Sequence, residues 1–588
     1  MKRTLVVLAA LACLAAAWSL WVRKSSPAIF EFENVSGPEE ASSLPQPVAM
    51  RVSDYDRGGP NRLAVLVTDP ESDWMGLVRG FKSHGIPATF TTSPNTALRH
   101  QVVIAYPGIS GRLVSQAGIR ALADHVRTGG TLLTMDLAGG GLEELFGIER
   151  QLPSRERTAV RWLAPGDRQD RLTPFSSAQA EVKIGSLSFV PTTAQTLARY
   201  DDGSAAVVCR QVGGTACLLG VDLGSMAQRA MNGRAEGYSP EFVNNYEPGM
   251  DVVFRWIRDL YVQGEDDPYL IGTAPAGHRG SLILTHDVDA SKAVANSQRY
   301  AEAIRKAGSS ATFFMQTKYV RDWNDDIFFN SATVSTLKSV AQNMELASHT
   351  VAHSRAFKAF PIGSGDERYP DYRPFVRDRT SASGGSIFGE LRVSKFLLER
   401  LVGAKVRSFR PGHLSYPENL PEALAATGYR YSSDLTANSA QTHLPFQLSY
   451  GRSGRGLVPV WEFPVTIEDE KAPALVQRFG ATVDVLDRIA AHESVAVLMI
   501  HPDQAGPKLQ FEERLIARMK DKLWIGSLEA FGDWWSARDR LEIDYEGSTL
   551  KIQAPARVDE VTIRFPKRRT QRFVVLDGLR GSRQMSVQ

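Results

Sequence analysis

The chain has 588 residues, 43% hydrophobic and 23% charged, an ordinary globular composition that is too long for one core. About three domains are expected. A formal net charge of +3, with no basic stripe beyond Lys567-Arg568-Arg569, argues against a nucleic-acid partner. No internal repeat or low-complexity tract is evident.

In chain order, Lys2-Arg3 precede an apolar stretch from Thr4 to Val22, and Arg23-Lys24 follow it. That length is close to the ~20 residues a bilayer requires. Residues 1–24 are therefore expected to be a signal-anchor, holding an exported chain to the inner membrane on its periplasmic or extracytoplasmic face. Ala15-Ala16-Ala17 leaves removal as a signal peptide open. Residues 25–60, with Pro27, Pro38, Pro45, Pro47 and Pro60, read as a linker.

From Arg62 the texture becomes α/β. Leu63–Val67, Ala88–Thr92, Val102–Ala105 and Thr131–Met135 are strand runs, with helices over Trp74–Ser83 and Ser115–Arg127, the second stopped by Gly129-Gly130. Such alternation predicts a doubly wound parallel sheet. Residues 61–265 resemble, in pattern, the flavodoxin-like domain of the class I glutamine amidotransferases. Enzymes of that kind need a cysteine at a strand-to-helix elbow, where this chain has Asp136-Leu137-Ala138-Gly139-Gly140-Gly141. The domain is accordingly read as non-catalytic. Cys209 and Cys217 flank a hairpin turn at Gly213-Gly214. A three-residue loop would set them opposite one another for a disulfide, and a two-residue loop would not.

The chemistry gathers in residues 266–540. An apolar strand, Ser281–Leu284, runs into Thr285-His286-Asp287-Val288-Asp289. A second, Glu345–Ser348, runs into His349-Thr350-Val351-Ala352-His353, and Val495–Ile500 ends at His501. Groups at strand ends are aimed by a rigid scaffold into one mouth. One carboxylate and two imidazoles form an N,N,O metal set, leaving a carboxylate as base and a histidine as acid. His286 should alternate away from Asp287 and pack. Residues 360–385, rich in Gly, Pro, Arg and Asp, look like an insertion able to form part of a cleft. Residues 541–588 alternate as a small antiparallel β module.

These motifs, with Phe409-Arg410-Pro411-Gly412 and Leu498-Met499-Ile500-His501, resemble the polysaccharide deacetylases of the NodB-homology type, carbohydrate esterase family four. The resemblance spans about residues 278–540 and implies a distorted, incomplete (β/α) barrel. It also implies that Asp289, His349 and His353 bind Zn²⁺ or another divalent ion such as Co²⁺. Asp287 would be the base, Arg410 would hold it ionised, and His501 would protonate the leaving amine. The fourth motif departs from the pattern; Asp434 is the candidate for orienting His501. Pro411, Gly412 and Trp461 are candidates for substrate contact. The implied function is removal of N-acetyl groups from an exported or cell-wall N-acetylhexosamine polymer. The alternative left open is a non-catalytic polysaccharide-binding or secretion-scaffold protein with a degenerate barrel.

Overall fold

The computed structural model describes residues 27–139, 141–163, 171–177, 183–233, 244–452 and 456–587. In the first domain the fully buried strand Leu63–Val67 lies between Ala88–Thr91 and Val102–Tyr106, all parallel, and the sheet continues through Thr131–Thr134 to Gly214–Leu219. Helix Trp74–His84 ends at Gly85, whose left-handed φ of 66° suits glycine. Helix Gln116–Arg127 starts where the Ser115 hydroxyl accepts the Gly118 N–H at 3.2 Å. Beyond Gly214–Leu219 the strands become antiparallel: Ala205–Val212, Gln195–Tyr200, Ala159–Trp162 and Leu172–Pro174. The hairpin turns on Gly213 alone (φ 75°), so Cys209 and Cys217 face one another and are joined by a disulfide.

The second domain is a curled, barrel-like sheet. Its parallel strands are, in spatial order, Leu457–Glu462, Tyr431–Ser432, Ser408–Phe409, Glu345–Ser348, Thr312–Met315, Ser281–Val288, Val495–Ile500 and Val465–Ile467. A parallel bridge from Thr436 to Val465 draws the open side together. Ser281–Val288 is buried at every position, as a strand covered on both faces must be. The chain ends in two small antiparallel sheets. One contains Leu270–Ile271, contributed from the segment leading into the barrel.

Three expectations need correction. The anticipated anchor, residues 1–24, lies outside the described residues; among those described no helix is long and apolar enough to cross a membrane. The inner-membrane, exported reading therefore finds no spanning element here. The supposed linker is a packed strap: Ile29 bridges Val320, Gly37 pairs with Tyr369, and Phe32 packs on Phe329 and Tyr369. Its aromatic residues found a barrel face that proline spacing alone does not reveal. The 360–385 segment meets that strap through Tyr369, whose hydroxyl donates to the Phe30 carbonyl, and none of its residues lines the cleft.

Candidate metal centre and active site

Strand alternation sorts the first motif. His286 turns away from the mouth, stacks on Phe313 with centroids 4.5 Å apart, and meets Glu512 at 3.0 Å. Asp287 turns inward, 3% exposed, and its Oδ1 accepts Arg410 Nη1–H at 2.7 Å. Arg410 is itself fully buried. Its guanidinium also donates to Thr285 Oγ1 at 2.9 Å and to Ser433 Oγ at 2.8 Å, and lies 4.3 Å from the Phe314 ring centre. Every face of the cation is thus occupied, as a buried guanidinium requires. Burial alone would raise the Asp287 pKa, but Arg410, then His349 and His501, hold it below the ordinary carboxylate value.

The two-histidine motif is an irregular turn, not a helix. The strand ends at Ser348, and Thr350 (φ 68°) and His353 (φ 51°) take left-handed backbone, at a cost of roughly 1–3 kcal/mol each. His349 Nδ1–H donates to the Arg410 carbonyl at 2.8 Å, which fixes the tautomer and leaves Nε2 with a lone pair. That Nε2 is buried without a hydrogen-bond partner. Gly412 allows the second histidine its place, since a Cβ there would lie 2.5 Å from the His353 ring. Burial depresses both histidines; for His353 the neighbouring imidazoles of His349, His413 and His501 lower it further.

Asp289 completes the group, with one ligand atom each from Asp289, His349 and His353 within 4.8 Å of one another. Asp289 Oδ2 stands 3.6 Å from His353 Nε2 and 3.8 Å from His501 Nε2. Its pKa is raised by burial, against the pull of His501 and His349. A pinned tautomer, an orphaned buried nitrogen and a carboxylate facing both imidazoles fit a divalent cation by the chemistry of the donors. The identity of the ion is a separate matter.

His501 is oriented by a carboxylate that the sequence reading missed. Its Nδ1–H donates to Asp469 Oδ1 at 2.7 Å, its backbone N–H donates to Asp469 Oδ2 at 2.8 Å, and Lys508 Nζ lies 2.6 Å from the same Oδ2. Burial would lower the imidazole pKa; Asp469, then Asp289 and Asp287, lift it instead to about 10. Asp469 itself falls to about 2, since the His501 bond and charge and then Lys508 outweigh its burial. Asp434 does not have the expected role. It lies at the cleft wall with both carboxylate oxygens buried and unbonded, and burial and the adjacent Glu462 raise its pKa well above the ordinary value. Glu462 organises that wall, accepting the Asp434 and Leu435 N–H groups at 2.7 and 2.8 Å.

The cleft over these groups has a volume of ≈ 490 Å³. Pro411 lines it, as does His413. Trp461 does not: it is 5% exposed, paired with Tyr431 across the sheet, and packed in the core. The sequence places Asp469 two residues beyond the strand Val465–Ile467, and only the sheet shows that this strand pairs with that of His501.

Residues 275–432 match the family model of the polysaccharide deacetylases. No curated protein sequence matches the chain significantly. Among solved structures, a Mycobacterium smegmatis protein designated a polysaccharide deacetylase by inference is 16% identical (44% of this chain, 92% of that one, TM-score 0.32). A carbohydrate esterase family four pseudoenzyme from Bacillus anthracis is 16% identical (43% and 65%, TM-score 0.26). A family four carbohydrate esterase from Streptomyces lividans, solved with acetate, is 15% identical (42% and 91%, TM-score 0.25). Likeness at that level leaves the function to be read from the site. The family match and the Asp-His-His group together define a metal-dependent carbohydrate deacetylase domain.

Proposed function

We propose that the barrel hydrolyses N-acetyl groups of an N-acetylhexosamine polymer, with Zn²⁺ as the ion. The observation that carries this reading is the opposed protonation of two groups flanking one cation site. Asp287 is held ionised and His501 is held protonated, on either side of Asp289, His349 and His353. Environments that push two titratable groups apart assign them as base and acid.

An ion bound by Asp289, His349 and His353 supplies Lewis acidity toward water and an acyl carbonyl. Asp287 accepts the proton of a water attacking the carbonyl carbon, and Arg410 fixes the reacting oxygen's direction. The C–N bond then breaks as His501 Nε2 gives its proton to the departing amine, leaving acetate and a free amino sugar. Asp469 retains the other imidazole hydrogen on Nδ1. Pro411 and His413 stand where a sugar ring would rest. The test is acetate release by the purified protein with Zn²⁺ or Co²⁺ from a panel of N-acetylated oligosaccharides. Release is expected, and should vanish in Asp287→Asn. Silence across the panel from protein that binds no ion would defeat the reading.

The first domain we read as a flavodoxin-like, glutamine-amidotransferase-like module without a nucleophile. The order of its parallel strands supports this, and its two cysteines are bonded to one another.

A further inference from the structure

The turn carrying His349 and His353 is gripped from behind by one buried carboxylate. Glu390 lies in the first turn of helix Ile387–Leu397 and is 1% exposed. Its Oε2 accepts two successive backbone N–H groups, from Val351 at 2.7 Å and Ala352 at 2.9 Å. Its Oε1 accepts the Tyr372 hydroxyl at 2.7 Å. Tyr372 is fixed in turn, because its carbonyl accepts the Tyr319 hydroxyl and its own hydroxyl accepts the Ser386 N–H at 3.1 Å. Neither Glu390 nor Tyr372 lines the cleft.

We propose that Glu390, locked by Tyr372, is a positioning residue that presets the His349–His353 turn for capture of a divalent ion. This rests on the metal-hydrolase reading of the site. The sheet ladder stops at Ser348, so other groups must hold residues 349–353. The Thr317 N–H donates to the Thr350 carbonyl at 3.0 Å, and Gln316 Nε2 donates to the Val351 carbonyl at 3.1 Å. Those bonds satisfy carbonyls. Glu390 is what satisfies the two N–H groups at the middle of the turn. Thr350 is β-branched and left-handed, a conformation that such residues rarely adopt without external constraint. Removing the carboxylate leaves two adjacent buried donors without an acceptor. The backbone then relaxes toward ordinary φ, and the two imidazoles lose their convergence. The 360–385 segment thereby serves the site without touching substrate.

The experiment is zinc affinity of the full-length apoprotein, by competition with a chromogenic chelator, for wild type, Glu390→Ala, Glu390→Gln and Tyr372→Phe. Amide exchange across residues 349–353, measured by mass spectrometry without metal, accompanies it. Glu390→Ala should weaken zinc binding by about 10–100-fold, the range for outer partners of metal ligands, and accelerate exchange at Val351 and Ala352. Glu390→Gln keeps an oxygen facing both donors and should stay within a few-fold of wild type. Tyr372→Phe should fall between them, and it decides the matter should Glu390→Ala fail to fold. Wild-type affinity and exchange in Glu390→Ala, or in Tyr372→Phe in that second case, would overturn the proposal alone. A wild-type protein that binds no zinc would overturn the metal reading beneath it, and the proposal with it.

Discussion

The first domain and the barrel each open a crevice where parallel strands end, and the larger crevice is the one without a metal-capable group. The first domain's is ≈ 910 Å³, against ≈ 490 Å³ in the barrel. Both occupy the position where α/β sheets place ligands. Their acids differ in what they are left to do. In the first domain Asp222 Oδ1 accepts the Ser225 N–H at 2.9 Å and the Tyr106 hydroxyl at 2.7 Å, so it caps a helix. Asp136 accepts from Gln151 Nε2. In the barrel the His349 Nε2 lone pair has no partner, and Asp289 Oδ2 stands 3.6 Å from His353 Nε2 and 3.8 Å from His501 Nε2. Among the described residues, the Asp289, His349 and His353 group is the one able to hold an ion. Convergent lone pairs left unsatisfied, more than volume, mark the reactive crevice.

The largest test of that contrast removes a lone pair. His349→Ala should abolish stoichiometric zinc binding and bring acetate release to background, while the circular dichroism spectrum stays that of a folded protein. Retained zinc at one equivalent would place the ion elsewhere. Arg410→Ala comes next. It strands the buried Asp287 carboxylate, and breaking one partner of a buried pair costs about 3–5 kcal/mol. Urea unfolding of the barrel transition is the measurement; a loss under ~1 kcal/mol would mean that Asp287 has another route to solvation.

What the sequence makes legible follows from distance along the chain. The gathering of Asp287, Asp289, His349, His353 and His501 is visible because each motif begins where an apolar run ends. Local alternation also sends His286 outward into packing. Asp469 was missed because its bond to His501 crosses 32 residues of chain and joins two strands whose adjacency is a property of the sheet. Asp434 looked better placed only because it follows a strand near a motif. Glu390 carries no sequence signal at all, since nothing in a helix's first turn reveals which backbone donors it will meet. Trp461 shows the opposite failure: a tryptophan near a motif reads as a sugar platform until its strand partners bury it.

A smaller effect sharpens the acid's side of the comparison. Without a bound cation the His501 imidazole is raised to about 10, so the alkaline limb of the rate should lie above the ordinary imidazole value and below about 10. A bound cation opposes the attraction of Asp289 and Asp287, making about 10 an upper bound for the loaded enzyme. Asp469→Asn removes the hydrogen-bonded negative charge that raises the imidazole, while burial continues to lower it. The alkaline limb of kcat/KM should therefore move to lower pH, toward or below the ordinary imidazole value, with a rate loss of about 10–100-fold at neutral pH. An unmoved limb would mean that His501 is not the proton donor.

The smallest expected effect is in the other crevice. Asp136→Ala deletes the carboxylate facing the first domain's opening and the bond from Gln151. Asp136 is partly exposed, so water replaces that bond and the loss should be only about 1 kcal/mol in a urea titration. Zinc affinity and the rate of acetate release should not change, because no group of the metal centre contacts Asp136. Longer oligosaccharides give the sharper version. If KM for a long chain rises in Asp136→Ala while KM for a short one does not, the larger crevice holds part of the polymer, and the two regions act as one binding surface. If neither KM moves, the two strand-end crevices work independently, one in chemistry and the other closed by a helix cap.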